Sequence, residues 1–221
     1  MKTVTTAIAA FALSASAALA DDPVVLNAVG TWSSLTNFQK HEEPFFNTRL
    51  REASDGNIVG KIQSQSGLGL KGFEIMRLVK NGVFDFAFGL PGYVAAENAI
   101  FEGADLSTLT QDIDTQRKVS DAYYPTLEKS FADIYNAKLL MLYPFPSQTL
   151  WCNGEVNGIE DLKGKKIRVY STTLGDFVEG VGGTSVTVSF SEVIPALEKG
   201  VVECAITGTM SAYTAKWNQV A

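Results

Sequence analysis

The stretch from Asp161 to Gly208 constrains the fold of this chain most. It predicts a strand that carries an arginine, followed by a helix, a glycine and a second strand. Residues 165–170 form the first of these strands. Side chains alternate along a strand, so Ile167 and Val169 share one face and Arg168 lies on the other. The sequence therefore predicts that Arg168 points away from its apolar neighbours.

The same stretch then predicts a helix that leads into a buried strand. Ser191 has the side chain of an N-cap, residues 192–199 form the helix, and Gly200 ends it. Residues 201–206 form the strand, whose carboxyl end falls at Thr207. Ligands bind at that end of the strands in open α/β sheets, so Thr207 is expected beside a binding site.

An earlier segment repeats this unit. Residues 73–89 align without a gap with residues 191–207 and match a glycine with a glycine at the helix end. One interpretation is that any two helix-glycine-strand units look alike. The other is a pair of similar α/β lobes whose strand ends, at Leu90 and Thr207, face each other across a cleft.

Strands and helices alternate along the rest of the chain, which predicts a mostly parallel sheet with covered faces. Strands are expected at residues 24–29, 57–63, 83–88 and 139–143, and helices at residues 37–53, 70–80 and 112–136, with a bend or restart at Pro44 and a break at Pro125. We expect a first lobe over residues 21–145 and a second over residues 146–221, beginning with a strand at Gln148–Cys152.

The first 20 residues have the features of a secretory signal peptide. They combine Lys2, an apolar run and a small-residue cleavage site, Ala18-Leu19-Ala20. The segment is too short to span a bilayer on its own. The mature chain is therefore predicted to be exported, with no membrane segment of its own. Its net charge is negative and it has no basic block, so we do not expect it to bind nucleic acid.

Motifs typical of catalysis are scarce. The single histidine, His41, lies in a charged helical run, and one histidine with two separated cysteines makes a poor zinc site. No nucleophile elbow, phosphate-binding glycine loop or HExxH helix is present. We expect no cofactor and no metal, and nothing in the sequence favours an enzyme.

Arg168 has two interpretations. It can be a structural arginine that pairs with Asp161 or Glu203. It can also hold a ligand carboxylate with both arms of its guanidinium, a geometry that arginine provides better than lysine.

Trp32 raises a similar choice, because most aromatic side chains belong to the core. However, Trp32 lies in a loop at the carboxyl end of a predicted strand, and loops there tend to line binding sites. The two cysteines, Cys152 and Cys204, are either buried thiols or a disulfide formed by sheet pairing in an exported chain.

Two runs, DLKGKKIRV and SFSEVIPALEKGVVECAITG, give this chain a family resemblance. The chain resembles the DctP-type solute-binding proteins of tripartite ATP-independent periplasmic (TRAP) transporters from Val24 to Ala221. The resemblance implies a two-lobed, type II-like periplasmic binding protein that closes on an organic acid. It also implies delivery of that acid to the membrane subunits of the transporter, by a monomer in the periplasm.

The resemblance also assigns site residues. The family's arginine that holds the substrate carboxylate corresponds to Arg168, its aromatic before the helix to Phe190, and its polar strand-end residue to Thr207. A further polar contact corresponds to Ser171.

At two positions this chain departs from sialic-acid-binding members. Gln148 replaces a second arginine, and Leu90 replaces an acid. Both changes remove charge from the cleft, which favours an acid with one carboxylate and a partly apolar body. Our hypothesis is that Arg168 holds the carboxylate, that Gln148, Ser171 and Thr207 add neutral hydrogen bonds, and that Trp32, Leu90 and Phe190 pack the apolar body.

Family members continue well beyond the position where this sequence ends. We therefore expect a fold truncated at its C-terminus, without the return crossing and the last helices. Two alternatives stay open, a secreted enzyme that uses the same cleft and a binding protein of an ABC transporter or a sensor.

Overall fold

A computed structural model describes residues 22–221, and the expected signal peptide at residues 1–20 lies outside them. The described chain contains two β-sheets. Their strands are β1 (Val24–Gly30), β2 (Ile58–Ser64), β3 (Phe86–Ala87), β4 (Gln148–Cys152), β5 (Lys166–Val169), β6 (Thr184–Thr187) and β7 (Cys204–Gly208). The first three strands form one sheet and the last four form the other, so each sheet is local in sequence.

The first sheet is parallel and has the strand order β2-β1-β3. β2 shows the alternation of a half-covered strand, with Ile62 and Ser64 buried and Lys61 and Gln63 exposed. Ile62 packs with Phe46, which comes from the helical segment between β1 and β2. The βαβαβ order expected from the sequence is therefore present, although β3 is shorter than expected.

The second sheet has the order β4-β7-β5-β6. β5 pairs in parallel with both β6 and β7, whereas β4 runs antiparallel to β7. The expected mostly parallel sheet thus gains one antiparallel edge strand. Arg168 lies on the central strand β5, where its register partners are Val186 of β6 and Ala205 of β7.

Helices connect and cover these strands. Residues 36–53 are helical and contain two π-helical stretches, Phe38–Glu42 and Phe45–Arg49, before a last α-helical turn. The α-helices are α1 (Leu50–Ala53), α2 (Ile75–Lys80), α3 (Ile113–Tyr135), α4 (Thr172–Gly180), α5 (Val193–Glu198) and α6 (Thr209–Thr214). Helix α4, between β5 and β6, had no counterpart among the expected elements.

The sequence predicts a bend or restart at Pro44 and a break at Pro125. Pro44 lies between the two π-helical stretches, and the second stretch begins at the next residue, Phe45. The break at Pro125 is wrong, because Pro125 lies inside α3, which continues without interruption. One missing backbone donor does not end this helix, because Leu127, Phe131 and Tyr135 bury its apolar face beyond the proline.

The strand expected at residues 139–143 does not form. Leu140 and Met141 are instead exposed, at 58% and 64% of their surface. The neighbouring edge strand in sequence, β3, has only two residues, and residues 139–143 pair with neither of the two described sheets. Apolar composition alone predicted the strand, but a strand also needs a neighbour for its backbone hydrogen bonds.

The N-cap expected at Ser191 is also wrong. A short 3-10 turn, Phe190–Glu192, precedes α5, and Ser189 stands before that turn. The Ser189 hydroxyl donates to the Glu192 carboxylate at 2.7 Å. The first helical turn therefore begins at Phe190, before the expected helix start at residue 192, and the Phe190 side chain is buried.

The two helix-glycine-strand units predicted from the internal repeat are both present. Gly82 follows α2 and Gly200 follows α5, with φ of +72° and +67°. Glycine adopts this left-handed conformation without steric cost, which makes it the usual residue after a helix end. The strands that follow lead to Leu90 and Thr207, as the alignment of the two segments predicted.

Candidate functional site

A cavity of about 710 Å³ lies between the parts of the chain that carry the two sheets. Its wall contains residues from both parts, which we call the N-terminal half (residues 22–145) and the C-terminal half (residues 146–221). Six residues predicted for the site lie on this wall: Trp32, Leu90, Gln148, Arg168, Phe190 and Thr207. The strand ends at Leu90 and Thr207 thus open into one shared cavity.

Arg168 lies at the base of this cavity with 1% of its surface exposed. Its neighbours Ile167 and Val169 pack in a separate cluster on the other side of β5, so the expected alternation is present. Arg168 Nε donates to the carbonyl oxygen of Val188 at 2.8 Å, and Nη1 donates to that of Ile206 at 2.9 Å. A guanidinium has five N–H donors, so these two bonds fix its plane and leave donors for another group.

Neither ion pair considered for Arg168, with Asp161 or with Glu203, is present among the described residues. Asp161 accepts the N–H of Asn157 at 2.8 Å, and Glu203 pairs with Lys165 at 3.6 Å. No carboxylate of residues 22–221 lies at salt-bridge distance from Arg168. Its positive charge is therefore buried without a negative partner from the described chain.

Aromatic rings surround this charge. The Arg168 guanidinium carbon lies 5.4 Å from the ring centre of Tyr170 and 5.6 Å from that of Trp217. Burial lowers the pKa of Arg168, and the neighbouring Tyr93 and Tyr170 act in the opposite direction. A guanidinium stays charged in proteins even so. The arrangement suits an anion that enters the cavity and takes the remaining donors.

Tyr93 joins the two halves next to Arg168. It comes from a short turn of the N-terminal half, and its hydroxyl accepts the N–H of Phe190 at 3.3 Å. Burial raises the pKa of Tyr93, while Arg168 counteracts part of that effect. Sequence reasoning missed Tyr93, because nothing in the local pattern distinguishes it. Sequence reasoning also did not assign Tyr170 to the site, although strand alternation places it on the same face as Arg168.

Trp32 and Phe190 form an aromatic wall. Their ring centres are 5.0 Å apart, and Phe190 in turn lies 5.2 Å from Trp217. Trp32 also meets Tyr93 edge to face at 6.0 Å. Trp32 is therefore both a core residue and a cavity residue, so the two interpretations of this aromatic are not alternatives.

A buried carboxylate holds the loop that carries Trp32. Glu42 accepts the N–H of Thr31 at 2.7 Å and the Thr31 hydroxyl at 2.9 Å. Burial raises the pKa of Glu42, and its hydrogen bonds from Thr31 oppose this shift. Trp32 therefore follows a residue whose backbone and side chain are both fixed.

Gln148 and Thr207 belong to the paired strands β4 and β7. Gln148 lies opposite Gly208, and Thr149 lies opposite Thr207. The Gln148 amide donates to the carbonyl of Pro146 at 2.8 Å, which leaves its side-chain oxygen and one N–H available. Both side chains offer neutral hydrogen bonds to a molecule in the cavity.

A disulfide joins Cys152 and Cys204 at the other end of the same strand pair. The two residues are direct partners in the β4–β7 register, with Cα atoms 4.0 Å apart. A cross-link at this position holds the register of the two strands. That register in turn determines which side chains reach the cavity.

Ser171 does not lie on the cavity wall. It precedes α4, is 9% exposed and makes no side-chain cap bond to the helix. A Cβ atom at Gly92 would lie 3.1 Å from the Ser171 side chain. Ser171 thus belongs to a close contact between the two halves.

Further polar contacts cross between the halves. Glu102 accepts the N–H and the hydroxyl of Thr173, at 2.9 Å and 2.8 Å. Lys71 pairs with Glu192 at 2.6 Å. The two halves of the chain are therefore in direct contact around the cavity.

Two further observations describe what residues 22–221 do not contain. They include no group of three or more His, Cys, Asp or Glu side chains placed to hold a metal ion. None of their helices combines the length and the apolar character needed to span a membrane.

Residues 29–221 match the DctP family model, described as bacterial extracellular solute-binding protein, family 7. This match covers most of the chain, so the chain belongs to that family. The resemblance based on the two sequence runs is confirmed.

Solved structures show the same fold. The chain is similar to DctP7 of Bordetella pertussis, an extracytoplasmic solute receptor binding pyroglutamic acid, with a TM-score of 0.80 and 24% identity. It is similar to a marine metagenome TRAP solute-binding protein specific for pyroglutamate, with a TM-score of 0.81 and 23% identity. A third structure is a TRAP periplasmic solute-binding protein from Sulfurospirillum deleyianum with bound succinate, with a TM-score of 0.77 and 25% identity.

These matches cover 89%, 90% and 89% of this chain, and 64% of each of those chains. The chain therefore spans less than two thirds of the length of these structures. The α/β fold of a two-lobed periplasmic binding protein, expected from the sequence, is confirmed.

Proposed function

We propose that this chain is the extracytoplasmic receptor of a TRAP transporter, which captures a small organic acid and delivers it to the membrane subunits. Membership of the DctP family supports this function. The observation that carries the proposal is Arg168, a buried cation on the cavity wall without a carboxylate partner among the described residues. Leaving such a charge unpaired is costly, so an entering carboxylate gains a strong partner.

The charges on the wall favour a ligand with one carboxylate. Arg168 is the sole cationic side chain among the described wall residues, whereas Asp105 and Asp112 are acidic. A second carboxylate would have no cation to pair with and would experience repulsion from the acids. We assign neutral hydrogen bonds to Gln148 and Thr207, which form the polar side of the proposed site together with Arg168.

The remaining wall suits a partly apolar body. Trp32, Leu90 and Phe190 contribute apolar surface from both halves. Burial of such surface by a ligand stabilises the complex in proportion to the area removed from water. A ring or short aliphatic acid meets both requirements, since it has one charged end and one apolar end.

We also propose how the protein is exported, where it works and how its two lobes act. Residues 1–20 act as the signal peptide, and the mature protein works as a monomer in the periplasm. Residues 21–145 and 146–221 belong to two lobes that close on the acid. The receptor releases the acid unchanged, whereas a secreted enzyme would convert it.

Calorimetric titration tests this function. A panel of small hydroxy, cyclic, aromatic and dicarboxylic acids is compared with the corresponding primary amides. We expect at least one monocarboxylate to bind, its amide to bind at least a hundredfold more weakly, and the acid to be recovered intact. Equal binding of acids and amides, or conversion of the acid, would contradict the proposal.

A further inference from the structure

Two buried side-chain atoms in the described chain lack a hydrogen-bond partner, the indole nitrogen of Trp32 and the amide oxygen of Gln65. Only Trp32 belongs to the cavity wall. Gln65 donates to the carbonyl of Phe88 at 3.0 Å and lies behind Tyr93, near Gly72. The Trp32 N–H is therefore the unpaired buried donor next to the site.

An unpaired donor at this place is unusual. Trp32 is 3% exposed. A buried tryptophan N–H generally finds an acceptor, and leaving it without one is destabilising. Even Trp151, which is only partly buried, donates its indole N–H to the Thr149 hydroxyl at 3.0 Å.

The position of the Trp32 ring is fixed by its surroundings. Phe190 and Tyr93 pack against it, and the preceding Thr31 is held by the Glu42 carboxylate. The ring has little freedom to turn its N–H toward another protein group. A molecule in the cavity can supply the missing acceptor.

The chemistry of that acceptor follows from the neighbouring side chains. Trp32 packs among apolar and aromatic side chains that include Leu35, Tyr93 and Phe190. One neutral N–H in such a setting cannot offset the desolvation of a second carboxylate. A neutral oxygen, such as the carbonyl of a lactam or a ketone, costs far less to bury.

We infer that Trp32 is a specificity-determining residue whose indole N–H donates to a neutral carbonyl oxygen of the ligand. Arg168 binds the carboxylate from the C-terminal half, and Trp32 binds the carbonyl from the N-terminal half. The ligand class is thus a small monocarboxylate that carries a lactam or keto group. This inference rests on the proposed function, and it adds a second polar contact that the carboxylate contact alone does not require.

A matched pair of acids tests the inference. Pyroglutamate has a five-membered ring with a carbonyl, and cyclopentanecarboxylate has a ring of similar size without one. Calorimetry measures both acids against the unmodified chain and against Trp32→Phe, which keeps an aromatic ring and removes the N–H. We expect Trp32→Phe to weaken pyroglutamate binding about tenfold more than cyclopentanecarboxylate binding, because both acids lose the same packing surface and only pyroglutamate also loses a buried hydrogen bond.

A second measurement needs no variant of Trp32. In ¹⁵N-labelled unmodified protein, the indole proton of Trp32 should move downfield with pyroglutamate and stay in place with cyclopentanecarboxylate. Equal losses for the two acids in Trp32→Phe, or an indole signal that pyroglutamate does not shift, would overturn the inference and leave Trp32 as a packing residue. Failure of both acids to bind would also overturn it, while the comparison of acids with amides still tests the proposed function.

Discussion

The carboxylate of Glu102 caps a helix of the other half of the chain through Thr173. It accepts the backbone N–H and the hydroxyl of Thr173 at 2.9 Å and 2.8 Å, in the first turn of α4. Ser171, which precedes this helix, makes no cap bond with its own side chain. The first turn of α4 therefore obtains an acceptor from the N-terminal half, and the two halves are joined beside the cavity.

We predict that Glu102→Ala weakens ligand binding about five- to thirtyfold. The loss of a helix cap costs about 1–2 kcal/mol, and here that cost falls on the arrangement in which the halves meet. Calorimetry with the best monocarboxylate measures the effect. Glu52→Ala is the matched control, since Glu52 is exposed and belongs to the helical segment before β2. Equal affinities of the two variants would show that the Glu102–Thr173 contact does not support binding.

Local sequence patterns were sufficient to predict two residues of the cavity wall, Arg168 and Thr207. Alternation along β5 placed Arg168 on the other face of the strand from Ile167 and Val169. The helix-glycine-strand pattern placed Thr207 at the end of a strand. Each of these inferences uses residues close to one another in the chain. The physical causes are strand geometry and the backbone freedom of glycine, and both can be recognised in a sequence.

Contacts between the halves could not be predicted in the same way. Glu102 and Thr173 are 71 residues apart, and Tyr93 and Phe190 are 97 apart. Nothing in the local sequence of Glu102 marks it as a cap for a distant helix. Such pairs depend on how the two halves pack, which a single sequence does not encode in any short pattern.

The disulfide should contribute substantially to stability. Cys152 and Cys204 are 52 residues apart, and closing a loop of this size stabilises by about 4 kcal/mol on the chain-entropy model. We expect reduction to lower the unfolding midpoint in urea. The double variant Cys152→Ala/Cys204→Ala serves as the control, since reductant cannot affect its stability. A chain that takes up two alkyl groups when denatured without reductant would show that the bridge is absent.

Glu42 should make stability depend on pH. Burial raises its folded-state pKa above the usual 4.5. A raised pKa means that the folded state binds the proton more tightly, so this contribution to stability is full below pH 4.5 and decreases as pH rises through the folded-state pKa. Gln stays neutral at every pH, so urea unfolding of the unmodified chain and of Glu42→Gln should agree best at low pH, and the unmodified chain should become the less stable of the two as pH rises through the folded-state pKa. A difference in stability that stays constant as pH rises above 4.5, or an unmodified chain that gains stability relative to Glu42→Gln, would contradict this assignment.

The proposed function depends on binding of the ligand carboxylate by Arg168. Removing one partner of a buried charge pair costs about 3–5 kcal/mol, which corresponds to more than a hundredfold in affinity. Arg168→Lys keeps a positive charge but loses the planar fork, and Arg168→Ala loses both. Circular dichroism and thermal unfolding show whether each variant retains the fold, because Arg168 also donates to Val188 and Ile206.

Calorimetric titration of folded Arg168→Lys and Arg168→Ala with the tightest-binding monocarboxylate is the most direct measurement. We predict that both variants bind this acid at least a hundredfold more weakly than the unmodified chain, and that they lose its preference over the amide. A folded variant that binds the acid as tightly as the unmodified chain would show that Arg168 does not bind the ligand carboxylate.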